Sequence, residues 1–220
     1  MLFHRPRVEI AVVGSAIGLF LICSPSQASD CDNLIATING GIGLLENFET
    51  QSKSFEVATG KAKNPETMAP ILREFATGLD GLNRDLDRVV KTLNVPNVQD
   101  GNLRRLQQQY ASNLQQLIGL FNQLTQGLQN MERVLQAIAT TPKDRITPEQ
   151  ARRWATRAQQ IEANMAAVSK SSGTTTAALD KIANDINLYC DRKAPKQLFD
   201  QQLFDEPILA PPRPHNTEAG

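Results

Sequence analysis

The sequence predicts an all-α protein: an antiparallel, up-down-up-down four-helix bundle of long helices, closed by one disulfide and followed by a flexible C-terminal tail. Three observations carry that expectation. Apolar residues recur at alternating steps of three and four along four separate stretches, a spacing that keeps one stripe on one side of a helix and has no place in a strand. Turn signals separate the stretches: Asn64-Pro65, then Pro96 with Asp100-Gly101, then Pro142. Two cysteines, Cys31 and Cys190, bracket the whole helical region.

The chain has 220 residues, a hydrophobic share of 40% and no net charge, which is enough apolar material for one domain with a core of its own. Residues 1–28 read as a secretory signal peptide. His4, Arg5 and Arg7 form a positive n-region, and Ile10 to Cys23 an apolar h-region too short for a comfortable membrane span. Ser26-Gln27-Ala28 then places small residues where a cleavage site needs them. The competing reading is an uncleaved anchor; a lipoprotein is disfavoured because Ile22 precedes Cys23.

Cleavage removes Arg5, Arg7 and Glu9, so 23 basic residues become 21 and 23 acidic residues become 22. A near-neutral mature chain has no global field to draw nucleic acid, which is not expected as a partner. No second apolar run of membrane length occurs, so no span is expected after signal cleavage. The two cysteines left are expected to pair in an oxidising compartment. They close a loop of roughly 160 residues, for which chain entropy alone suggests about 5 kcal/mol. The absence of any Asn-x-Ser/Thr sequon points to a bacterial periplasm or cell exterior.

Within the bundle, assigned to residues 29–192, the first helix starts at Asp30 to Asp32, whose carboxylates suit a helix N-terminus. Leu34, Ile38, Ile42, Leu45, Phe48 and Phe55 form its buried side. Gly40, Gly41 and Gly43 interrupt it, and a close helix–helix approach is the reading preferred over a kink. The second helix begins between Glu66 and Ile71, Pro70 blurring its start, and ends at Leu93. Its stripe is Met68, Leu72, Phe75, Leu79, Leu82, Leu86, Val89 and Leu93.

The third helix, Asn102 to Thr140, is the organising one. Leu103, Leu106, Tyr110, Leu114, Leu117, Phe121, Leu124, Leu128, Met131, Leu135 and Ile138 make a stripe about 58 Å long that partner helices must cover. From Leu106 to Met131 it carries no charge; Gln and Asn fill the polar positions. Such a face either meets a partner, since amides desolvate more cheaply than charges, or is flanked by its own bundle.

Thr147-Pro148-Glu149-Gln150 opens the fourth helix with an N-cap, a proline at N1 and a capping-box residue. Its stripe loses bulk from Ser169 to Thr176. Residues 193–220 form a Pro-rich, mostly disordered tail. A tandem repeat within it supplies Leu198, Phe199, Leu203 and Phe204, too apolar for a mere linker. They either dock on the bundle or bind another protein.

The chemistry is mostly excluded. The only histidines are His4 and His215, outside the bundle, so His-based nucleophilic catalysis, zinc–His sites and di-iron ligation are removed. No metal site is expected and no cofactor. Carboxylate pairs such as Glu46 with Glu49, or Asp80 with Asp85, lie on solvated helix faces. The chain is expected not to be an enzyme. Its expected role is a binding or scaffold module; the alternative is a small-molecule carrier or sensor with an apolar pocket inside the bundle.

Two places stand out as candidate sites. Phe48, Phe75 and Phe121 fall near one level, beside the small stretch of the fourth helix, and are expected to form a dry aromatic layer. The hairpin from Met131 to Gln160 is expected to stand proud of the bundle by about ten residues per helix, roughly 15 Å, unless residues 58–70 fold over it. It carries Trp154 with Arg133, Lys143, Arg145, Arg152, Arg153 and Arg157 against Glu132, Asp144 and Glu149. Arg152 and Arg153 sit in opening turns where the helix dipole disfavours cations. The expected partner is an acidic protein face or an anionic envelope component, with a homo-oligomer as a further possibility; the competing reading has Trp154 capping the core and the arginines solvated.

Overall fold

The structure, a computed structural model, describes residues 30–193 apart from 96 and 97, and not the side chains of 192 and 193. Residues 1–28, expected to be a signal peptide, and the four candidate tail residues Leu198, Phe199, Leu203 and Phe204 lie outside the described residues, so the structure does not bear on them.

Four long helices make the fold: α1 Asp30–Lys61, α2 Pro65–Leu93, α3 Gly101–Thr140 and α4 Pro148–Lys193, with a single 3-10 turn at Lys143–Arg145. No strand occurs among the described residues. Successive helices run antiparallel. α3 packs closely along both α2 and α4, α1 packs more lightly on α2, and α1 barely meets α4.

Local chemistry sets the boundaries. α2 starts at Pro65, earlier than Pro70 suggests, because Asn64 and Thr67 close a reciprocal capping box: the Asn64 Oδ1 accepts from Thr67 N at 2.9 Å. α3 takes Gly101 into its first turn, since Asp100 caps the backbone amides of Asn102 and Leu103. Thr147 Oγ1 accepts from Gln150 N at 3.2 Å and starts α4. Asp30 does something the sequence did not signal. Its Oδ2 accepts from Gln99 N at 2.9 Å, pinning the α2–α3 connection to the start of α1.

The core is one continuous apolar cluster. Leu79, Leu86, Leu103, Tyr110, Leu114, Leu117, Leu128 and Ile186 are the large side chains least exposed to solvent. The expected stripes are there, with two shifts. α2 buries Val90 where Val89 was expected, and α3 buries Gln107, Ala111, Thr125 and Val134 beside its stripe. A helix flanked on two sides buries a wider arc than a two-per-heptad seam. On α1, Ile42 and Leu45 are only partly covered.

Glycine use also differs from expectation. On α1 only Gly41 faces a neighbour, where an added Cβ would touch Val89 at 3.5 Å; at Gly40 and Gly43 it would meet nothing within 4 Å. The tight approach lies instead between α3 and α4. A Cβ at Gly127 would come within 2.7 Å of Met165 Cγ.

Cys31 and Cys190 form the disulfide, with Cα atoms 5.7 Å apart. It joins the first turn of α1 to the last turns of α4, as an up-down-up-down order requires.

Candidate functional site

Two regions were marked as candidates by the sequence, an aromatic layer inside the bundle and a basic hairpin at one end. The layer forms, and it is larger than expected. Phe48 stacks on Phe75 at 5.6 Å and meets Phe121 at 5.1 Å; Phe55, a fourth ring, stacks on Phe75 at 4.1 Å. All four are at most 6% exposed. Phe55 follows Phe48 by two helical turns, so it shares the same face.

Most of the small stretch of α4 is self-contained in its side-chain hydrogen bonding. Its hydroxyls bond back to their own helix: Ser171 to Ala167 O, Ser172 to Val168 O, Thr174 to Lys170 O, Thr175 to Ser171 O and Thr176 to Ser172 O. Buried Thr175 is thereby satisfied without a ligand. A shallow depression lies along the outside of α1, lined by Lys53, Ser54, Val57, Ala58 and Lys61.

The basic hairpin is placed differently from expectation. Asn83 Nδ2 donates to Asn122 Oδ1 at 2.9 Å, and Arg73 Nε donates to Glu132 Oε1 at 2.6 Å. These pairs stand the same number of residues apart on α2 and α3, so the antiparallel register holds between them. Carried to the helix ends, it brings Pro65 level with Thr140, the last residue of α3. The start of α2 therefore flanks the hairpin, and the expected protrusion of both helices is corrected. The seven-residue connection between Leu93 and Gly101 lets α3 begin well past the end of α2.

Met131 and Val134 are accordingly buried, and Leu135, Ile138 and Trp154 pack against the core. Trp154 is half-buried, its apolar surface packed against the core.

The charges at this end sort into two groups. Glu132 takes Arg73 and also accepts from Gln136 Nε2 at 2.8 Å, with its side chain only 12% exposed. Glu149 pairs with Arg153 one turn along α4. Arg133 reaches only the neutral Asn130 Oδ1, at 3.5 Å. Of the six cations of the hairpin, all but Arg153 then face solvent without an acidic partner; of its three acids, only Asp144 stays unpaired. Arg133, Lys143, Arg145, Arg152 and Arg157 are all exposed. Lys61 and Lys63 of the α1–α2 connection lie at the same end.

The amide-rich face of α3 divides in a similar way. Gln107 is buried and donates to the Leu93 carbonyl, and Asn122 holds Asn83. Gln108, Gln109, Gln115, Gln116, Gln123 and Gln126 are exposed.

Among the described residues no group of His, Cys, Asp and Glu is arranged to hold a metal ion, and no helix is long and apolar enough to cross a membrane. Two carboxyls carry raised pKa values, Glu162 and Asp180, both from burial. Burial also raises the Tyr110 phenol far above its ordinary 10.0, and the negative charge of Asp180 adds to the effect. Comparison with known proteins returns nothing: no family profile, no curated protein and no solved structure matches the chain.

Proposed function

We propose that the protein is an exported, non-catalytic helical-bundle module that binds an anionic partner, an acidic protein face or an envelope polymer, through the basic end formed by the α3–α4 hairpin. The observation that carries this reading is the imbalance of exposed charge. Within the hairpin five cations are exposed against Asp144, because Glu132 and Glu149 are engaged by Arg73 and Arg153; on the flanking segments Lys61 and Lys63 stand against Glu66. Arg152 and Arg157 are held on a helix rather than a loop, which fixes their spacing for a charged partner. Arginine is also the cation best suited to carboxylate and phosphate geometry.

The disulfide supports export, since such a bond persists in oxidising compartments. The lack of histidine anywhere from residue 30 to 193 supports a role without acid–base chemistry at neutral pH. An internal ligand has less in its favour, because ring-to-ring contact fills the level where a carrier would need space.

The test is affinity capture from the cell envelope with three proteins: the mature chain, a chain lacking residues 194–220, and Arg152→Gln/Arg153→Gln/Arg157→Gln. The reading expects the triple variant to lose the captured partner with an unchanged thermal midpoint, while the truncated chain keeps it. Equal capture by the triple variant at the same salt concentration overturns it. Loss of capture with the tail alone moves the binding site to Leu198, Phe199, Leu203 and Phe204.

A further inference from the structure

α1 is lightly embedded compared with α2. Of its 32 residues, six are buried, and only Leu34, Ile38, Phe48 and Phe55 bring apolar side chains; α2 buries ten of 29. The buried residues fall into two groups. Phe48 and Phe55 stack with Phe75 and Phe121 and hold the second half of the helix. Between Ile38 and Phe48 the sole buried residue is Gly41, which has no side chain to contribute.

The middle of α1 is also intrinsically weak. A Cβ at Gly40 or Gly43 would meet nothing within 4 Å, so packing does not require glycine at either position. Neither glycine adopts a positive φ, so backbone geometry does not require it. Each glycine disfavours the helix roughly five-fold relative to alanine. Three glycines in four residues make a soft joint: Gly41 alone faces neighbours, Val89 and Tyr110, and the flanking Ile35, Ile42, Leu44 and Leu45 are only partly covered.

Beyond that joint, residues 30–39 are held by Leu34 and Ile38, by the bond from Gln99 N to Asp30 Oδ2, and by the disulfide. α1 and α4 touch far less than any other pair of neighbouring helices, so the Cys31–Cys190 bond is their main connection.

We propose that residues 30–43 form a strap, fastened by the Cys31–Cys190 bond, that opens about Gly40–Gly43 when the bond is reduced and uncovers the core at Val89 and Tyr110. Opening needs a dithiol. It donates two electrons and two protons, the Cys31–Cys190 bond becomes two thiols, and the dithiol becomes a disulfide. The remainder of α1 stays in place through its phenylalanine stack. The step is a local unfolding, confined to a segment that buries only two apolar side chains, Leu34 and Ile38.

Hydrogen exchange of the mature protein, read by mass spectrometry before and after reduction with dithiothreitol, tests the strap. Amides of residues 34–43 are expected to exchange at least a hundred-fold faster after reduction. Those of residues 72–93 and 103–131 should change by less than about three-fold. Gly40→Ala/Gly43→Ala is expected to slow exchange of residues 34–43 in the reduced protein by ten-fold or more, from the two helix-propensity gains together. Unchanged protection of residues 34–43 after reduction overturns the proposal. So does an equal loss of protection in all four helices, which makes the bond a global staple. An alanine pair with no effect on the reduced protein removes the joint, and the proposal with it.

Discussion

The Tyr189 hydroxyl donates to Asp100 Oδ2 at 2.7 Å, joining the last turns of α4 to the residue that caps α3. The same carboxylate side chain accepts from Asn102 N and Leu103 N through its other oxygen. Asp100 thus ends one connection, starts one helix and anchors another. Cys190 is the next residue along α4, and Asp30 and Gln99 bond beside it. α1, α3 and α4 are tied at this end by short-range polar or covalent links, beside the buried side chains of Leu34, Val98, Leu103 and Ile186.

Removing the tie has a graded cost. Tyr189→Phe deletes one hydrogen bond and keeps the ring, so it should cost about 1 kcal/mol. Asp100→Ala deletes that bond and the α3 cap together, and should cost about 2 kcal/mol. Urea denaturation of both variants measures the difference. Equal costs would mean that the cap contributes nothing at this site.

The aromatic level makes a larger claim. Phe121 is 6% exposed and lies against Phe48, so Phe121→Ala should destabilise the bundle by about 3–5 kcal/mol. A loss below about 1 kcal/mol would mean that the rings are not packed, and the carrier reading would regain ground. Equilibrium denaturation is sufficient, and ligand binding by the variant cavity is a natural control.

The pH dependence follows from three raised pKa values. The Tyr110 phenol is raised by burial and then by Asp180. In the folded protein it keeps its proton at pH values where the unfolded chain loses it. Its contribution is therefore complete below pH 10 and falls as pH rises beyond that. Glu162 and Asp180 are raised by burial, so their folded forms favour the proton too. Their contribution is present at low pH and is lost as pH rises through their folded pKa values. Asp180→Asn should raise the melting temperature at pH 7 and bring the Tyr110 transition down toward 10. Ultraviolet titration of Tyr110 in a Tyr189→Phe background follows it directly. An unshifted transition would remove Asp180 as a cause.

The helices and the disulfide were readable because their signals are local or nearly unique. Alternating three- and four-residue steps need no knowledge of neighbours, and two cysteines allow one pairing. Register was not readable. Arg73 and Glu132 lie far apart in sequence, and a surface arginine gives no sign of the acid it will meet. Sequence spacing alone therefore leaves open whether the hairpin protrudes or is covered by residues 58–70, and the register places the start of α2 along it. Nor did the sequence separate the glycines of α1, where only Gly41 meets a neighbour, from Gly127, where the Met165 side chain of α4 takes the space of a Cβ. The hydroxyl run from Ser171 to Thr176 was visible as small residues, but its return bonds to the helix carbonyls needed coordinates. Of the candidate binding site, the basic character was legible. Its sharpening by Arg73 and Arg153, which remove two acids from the surface, was not.

The central claim is that the charge at the α3–α4 end forms a site and is not an ordinary solvated face. Elution from immobilised dextran sulfate in a salt gradient separates the two. Arg152→Gln/Arg153→Gln/Arg157→Gln is compared with Arg84→Gln/Arg88→Gln/Lys91→Gln on α2, which removes the same charge from another exposed face. The account predicts that the α4 triple elutes at clearly lower salt than the mature protein, and the α2 triple close to it. Equal shifts for the two triples would contradict it, because net charge alone would then govern retention.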